Sequence, residues 1–225
     1  MRWLALALLG TLAFVYGVLT DWPLLSLLAK PLPVLALLGW LRGAEAGPYR
    51  RWIAIGLLFS LAGDMLLQWS PELFVFGLGA FLLGHLAYLM AYLSDSRRFA
   101  PLALLLALIA GGSMFATLAS AGLGGLLIPV ALYALAISAM LWRALARASS
   151  ASISRQSAYL AAIGAALFVL SDSLIGINRF VSPFAGAHYA IILTYWLGQW
   201  GITASALYRR ATVEKDGYGS AATAG

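Results

Sequence analysis

The sequence predicts an all-α membrane protein of eight transmembrane helices. Three observations lead there. Of its 225 residues, 63% are hydrophobic and only 10% are charged, whereas about a quarter of the residues of a soluble domain are charged. The apolar residues form uninterrupted runs about 20 residues long, the length a helix needs to cross a bilayer. The basic residues fall on alternate connections between those runs.

The runs cover residues 3–20, 24–41, 51–69, 73–93, 101–120, 123–142, 158–177 and 187–208. Breakers stand between them: Asp21-Trp22-Pro23, then Gly43 to Pro48, Ser70-Pro71-Glu72, Ser94 to Arg98, Ala121-Gly122, the serine-rich 149–157 and Ser182-Pro183. With eight spans, Arg2, Arg42, Arg50, Arg51, Arg97, Arg98, Arg143, Arg147, Arg155, Arg209, Arg210 and Lys215 share one side, and Arg179 stands on the other. The positive-inside rule then puts both termini in the cytoplasm. Arg2 before an apolar run imitates a signal peptide, but the run lacks a clear A-x-A-like cleavage site at its end before Asp21, so a retained helix is expected. The spans make one domain, 1–210, and the small, polar stretch 211–225 reads as a flexible cytoplasmic tail.

A four-plus-four internal repeat is suggested by pairs of matching spans. Leu-Phe-x-Leu precedes Asp64 in the third and Asp172 in the seventh, and Pro33-Val34 in the second matches Pro129-Val130 in the sixth. The acids align only with a one-residue slip. Two halves of four helices would share one orientation, as parallel repeats do.

The net charge of +6 is explained by the cytoplasmic loops and calls for no nucleic acid. Cysteine is absent, which excludes disulfides, thiolate metal sites and a cysteine nucleophile. Two histidines, His85 and His188, are too few for a three-histidine zinc site, although ligand count leaves open a mixed site with Asp64 and Asp172. A preponderance of Arg over Lys and abundant Ala suit a bacterial protein, hence the inner (plasma) membrane.

Asp64 and Asp172 are the residues that composition does not explain. An Asp near the centre of a spanning helix costs roughly 2.5–3.5 kcal/mol and usually has a partner or a function. Asp64 stands five residues before Trp69 at the end of its span, and Asp172 five before Ile177. On the predicted topology Lys30, His85, Tyr88, Asn178, Arg179, Tyr195 and Gln199 share the half of the membrane that holds the two acids, where one pocket could gather them. Each of these also has a structural reading: Lys30 could snorkel, His85 could be a core histidine, and Tyr195 with Gln199 could simply bond across helices. Aspartate is too short to snorkel.

Lys30-Pro31, Gly63-Asp64, Phe81-x-x-x-His85-x-x-Tyr88, Ser171-Asp172 and Tyr195-x-x-x-Gln199, in this order on an eight-helix frame, resemble the YhhN-like membrane proteins, the lysoplasmalogenase family. The resemblance implies cleavage of the vinyl-ether bond of lysoplasmalogens, such as lysoplasmenylcholine and lysoplasmenylethanolamine, to a fatty aldehyde and a glycerophospho-alcohol. Asp64 and Asp172 would then be the family's paired acids. A vinyl ether resists base and hydrolyses by proton transfer to its β-carbon, which two carboxyls in unlike surroundings can serve, as in glycosidases. On this route Asp64 is expected as the acid and Asp172, near Asn178 and Arg179, as the ionised partner. His85, Tyr88, Tyr195 and Gln199 would orient substrate or water, and Lys30 or Arg179 would hold the lipid phosphate. The route requires no metal or cofactor, and its partners are a lysophospholipid and membrane lipids.

Two other classes compete. An intramembrane aspartyl protease also uses two helix-borne acids, but its Gly-x-Gly-Asp is replaced here by Leu61-Ala62-Gly63-Asp64. A proton-coupled small-molecule or lipid transporter would use the same acids as a relay. Glycine-lined helix faces would serve packing within one chain or between two, so no oligomeric partner is assigned.

Overall fold

A computed structural model describes residues 2–209; the tail expected over 211–225 lies outside the described residues. Nine helices are described: α1 (Arg2–Leu19), α2 (Pro23–Ala29), α3 (Leu32–Leu41), α4 (Pro48–Trp69), α5 (Phe74–Asp95), α6 (Pro101–Ser120), α7 (Leu127–Ala146), α8 (Arg155–Gly176) and α9 (Ala187–Leu207). No strand occurs among the described residues.

Among the described residues, seven segments are long and apolar enough to cross a membrane. They are α1, the α2–α3 segment, α4, α5, α6, and α7 and α8 with their flanking turns. Helix α9 has the length of a span, 21 residues, but is not one of the seven. Its apolar character is diluted by polar residues turned into the protein, with Gln199, Thr203 and Ser205 fully buried.

The second run folds as two helices. Pro31 and Pro33 supply no N–H, so the carbonyls four residues earlier, on Leu27 and Ala29, lose their helical partners and the helix breaks at Lys30. At the far end of the chain, α8 runs into a π-helical turn, Ile177–Val181, directly after Asp172 has been placed.

Consecutive helices pack as antiparallel pairs: α1 with α2–α3, α4 with α5, α6 with α7, and α8 with α9. Contacts of α5 with α7, α7 with α8, and α9 with α3 and α4 join the pairs. The closest approach is between α8 and α9, where a Cβ at Gly164 would lie 2.6 Å from the Ile202 nitrogen and 2.8 Å from the Gly198 oxygen. Any side chain there would part the two helices that carry Asp172 and Tyr195. Helix α1 is peripheral and exposes most of its apolar length.

At the arginine-rich end, Arg147 is fully buried. Its Nε and Nη2 donate to Asp95 Oδ2 at 3.1 and 2.6 Å, and Nη2 also donates to Ser157 Oγ at 2.9 Å. Its guanidinium lies over the Tyr49 ring, 4.7 Å from the centroid. Arg209 Nε donates to the other Asp95 oxygen at 2.7 Å. This cluster ties α4, α5, α7, α8 and the end of α9 together.

Candidate active site

Helical spacing explains how the polar residues converge. Ser60, Asp64 and Gln68 recur every fourth residue along α4, and Phe81, His85, Tyr88 and Tyr92 recur at three or four along α5, so each set forms one stripe. Gly63 lets α5 come close, since a Cβ there would lie 2.6 Å from the Phe81 ring.

Asp64 is buried and accepts a hydrogen bond from the Tyr195 hydroxyl at 2.6 Å. Lys30, at the α2–α3 break, donates from Nζ to Gln68 Oε1 at 3.1 Å, one helical turn from Asp64. Lys30 and Asp172 both act electrostatically on Asp64. Tyr88 donates to Gln199 Oε1 at 2.6 Å, and the Gln199 amide nitrogen is buried without a hydrogen-bond partner. Tyr88–Gln199 and Tyr195–Asp64 are thus two buried polar pairs, one linking α5 to α9 and the other α9 to α4.

Asp172 has different company. Its Oδ2 accepts from the Tyr133 hydroxyl of α7 and lies 3.3 Å from His85 Nε2. The other ring nitrogen, Nδ1, is 2.6 Å from the Phe81 carbonyl oxygen. That oxygen can only accept, which assigns the Nδ1 proton. The His85 ring is held edge-on between Tyr133, at 5.1 Å, and Phe168, at 4.6 Å. Phe168, fully buried one turn before Asp172, also packs on Tyr195 at 5.3 Å. One phenyl ring therefore touches the partner of each acid.

Two cavities reach Asp172. The first, about 510 Å³ including its open mouth, is lined by Phe81, Tyr133, Asp172 and Ile175 and ends at Phe74 and Phe180. The second, about 400 Å³ including its open mouth, runs between α6, α7 and α8 past Met114, Ala134, Ile137 and Val169. Leu118, Val130, Tyr133 and Asp172 border both. Asp64 lines neither.

The remaining predicted residues lie apart from the acids. Asn178 Oδ1 accepts the Phe184 backbone N–H at 3.2 Å and so braces the α8–α9 connection. Arg179 is exposed, with its guanidinium 3.7 Å from the Phe74 ring centroid at the rim of the first cavity. Tyr133 is the site residue that sequence reasoning missed. It stands in the apolar run Ala131-Leu132-Tyr133-Ala134-Leu135, where a lone hydroxyl was its only signal. Among the described residues no three His, Cys, Asp or Glu side chains gather as a metal-binding group. His85 and Asp172 supply two.

Comparison with known proteins adds an independent line. The YhhN family model matches residues 25–206. The chain is 38% identical to lysoplasmalogenase TMEM86B of Homo sapiens, over 80% of this chain and 74% of that protein. It is 33% identical to lysoplasmalogenase TMEM86A of Homo sapiens over 84% and 81% of the two chains. With a lysoplasmalogenase of Mycobacterium bovis it shares 38% identity over 60% and 52%. No solved structure matches.

Proposed function

Because the chain belongs to the YhhN family, we propose that it is a lysoplasmalogenase, hydrolysing the vinyl ether of a lysophospholipid to a fatty aldehyde and a glycerophospho-alcohol. The observation that carries the mechanism is the setting of Asp172, a carboxyl at the meeting point of two apolar cavities, held by His85 and Tyr133.

His85 commits Nδ1–H to Phe81 and turns Nε2 toward Asp172 at 3.3 Å, so a proton carried by either group lies beside the cavities. That proton is the one available to substrate. Asp172 delivers it to the β-carbon of the vinyl ether, the double-bond electrons form the new C–H bond, and the ether oxygen shares the positive charge left on the α-carbon. Water adds to the α-carbon and returns a proton to Asp172. The hemiacetal then breaks its carbon–oxygen bond to glycerol, its hydroxyl proton passing to the departing oxygen. One water is consumed and the acid is restored.

Asp64 serves as the fixed negative charge. It is out of contact with the cavities, and in a low-dielectric interior a carboxylate stabilises a cation across a gap that would nullify it in water. Tyr195 donates to Asp64, and the Lys30 ammonium, bonded to Gln68 one turn away, favours its charge. This exchanges the roles expected from the sequence, since Asn178 and Arg179 do not face Asp172. Arg179, exposed at the cavity rim, takes the lipid phosphate. We read the chain as eight spans in a bacterial inner membrane, with both termini cytoplasmic and two halves of four.

The test is aldehyde release by purified protein in detergent from a lysoplasmenylethanolamine, beside its saturated ether analogue and with a chelator added. Chelator-resistant release from the vinyl ether alone supports the proposal. A folded protein that releases nothing points to another lipid substrate or to the proton-coupled transporter.

A further inference from the structure

We propose that the cavity between α6, α7 and α8 is the binding site for the substrate's hydrocarbon chain, and that Ala134 and Val169 set the chain length accepted. This inference rests on the lysophospholipid reading of the site.

A lysolipid has one polar and one apolar end, so a reactive bond at its junction needs two outlets from the catalytic group. Asp172 has two. The first cavity leads along the ends of α4, α5 and α8 to Phe74 and Phe180, with the Arg179 guanidinium on the Phe74 ring. From Asp172 to Arg179 is seven residues, or about 10 Å along a helix, which brings a cation to the head-group end. The second cavity leads to the middle of the helices: Gly111 lies halfway along α6 and Ile137 halfway along α7. Beyond Asp172 and Ser173 at its inner end, with Tyr133 on the shared wall, its lining is apolar. The bilayer's hydrocarbon centre is where a chain would leave the protein.

Ala134 is the smallest side chain on the α7 wall of that cavity, and Val169 faces the same space from α8 one turn before Ser173. Enlarging either shortens the room for methylenes without touching Asp172.

The experiment measures binding of saturated alkyl-ether lysophosphoethanolamines, one short-chain and one long-chain, to the full-length protein in micelles of a single detergent. These probes lack the vinyl bond, so the result does not depend on whether the protein cleaves it. For Ala134→Phe and the milder Val169→Leu, the expected result is a drop in the ratio of long-chain to short-chain affinity, by about tenfold for the larger change. Ile175→Phe, which fills the other cavity, should leave that ratio as in the wild type. Circular dichroism and thermal unfolding establish that each variant is folded. An unchanged ratio in folded Ala134→Phe and Val169→Leu, or a ratio altered by Ile175→Phe instead, would overturn the assignment. Failure of the wild type to release aldehyde, with the ratios behaving as expected, would refute the hydrolase and leave the chain site standing.

Discussion

His85 and Asp172 meet through Nε2 and Oδ2 at 3.3 Å, while the opposite face of the imidazole is fixed by a 2.6 Å hydrogen bond from Nδ1 to Phe81. The backbone of α5 thereby dictates which nitrogen faces the carboxyl. Replacing His85 by Ala removes the imidazole 3.3 Å from Asp172, and a charge-assisted hydrogen bond formed there as the carboxyl reacts would be worth about 1.5–3 kcal/mol. The expected loss is roughly 10–100-fold in kcat. Steady-state aldehyde release, with KM resolved from kcat, measures it. Tyr133→Phe, which removes the hydroxyl that hydrogen-bonds Oδ2, should lower kcat by a similar factor.

The two aspartates should not be equivalent. Asp172→Asn removes the transferable proton, and kcat should fall by about 10²–10⁴-fold. Asp64→Asn leaves that proton in place and removes a charge, so aldehyde release should be slowed while deuterium from heavy water still enters the product. Equal and complete loss in both variants would mean that each takes a direct part in proton transfer.

Lys30 and Arg179 divide along the same line. Arg179 stands at the cavity rim and Lys30 beside Gln68 and Asp64. Arg179→Gln should raise KM with kcat kept, the mark of lost ground-state binding, whereas Lys30→Met should lower kcat. Kinetics on a single lysoplasmenylethanolamine separate the two effects.

Stability should depend on the opposite end of the bundle. Arg147 is fully buried against Asp95, and removing one partner of a buried ion pair costs about 3–5 kcal/mol. Arg147→Met should therefore lower the unfolding temperature in detergent markedly. Arg209→Gln should lower it far less, because that side chain is 32% exposed.

Much of this was legible in the chain itself. Apolar runs and arginine placement predict the helices because bilayer thickness fixes their length, and the second-span break is written in Pro31 and Pro33. Asp64 and Asp172 announce themselves by cost. The partner of Asp172 was half legible: His85 was visible as an intramembrane imidazole, but pairing it with Asp172 rather than Lys30 with Asp172 required the packing of α5 against α7 and α8. Tyr133 was hidden because tyrosine is common in membrane helices and nothing local distinguishes one that turns inward. Asn178 and Arg179 lie close to Asp172 in sequence, yet the π-helical turn after Gly176 carries them to the connection and the rim. Helix α9 shows how buried polar residues lower the hydropathy of a helix that has the length of a span.

The central claim is that the vinyl ether is protonated on carbon, and one measurement addresses it directly. The purified protein is supplied with lysoplasmenylethanolamine in heavy water, and the aldehyde is reduced to the alcohol as it forms, before its α-hydrogens exchange. Mass spectrometry of the wild-type product should find one deuterium, on the carbon next to the former aldehyde carbon. A product without deuterium at that carbon would contradict the mechanism, because cleavage would then have proceeded without proton transfer to the vinyl group.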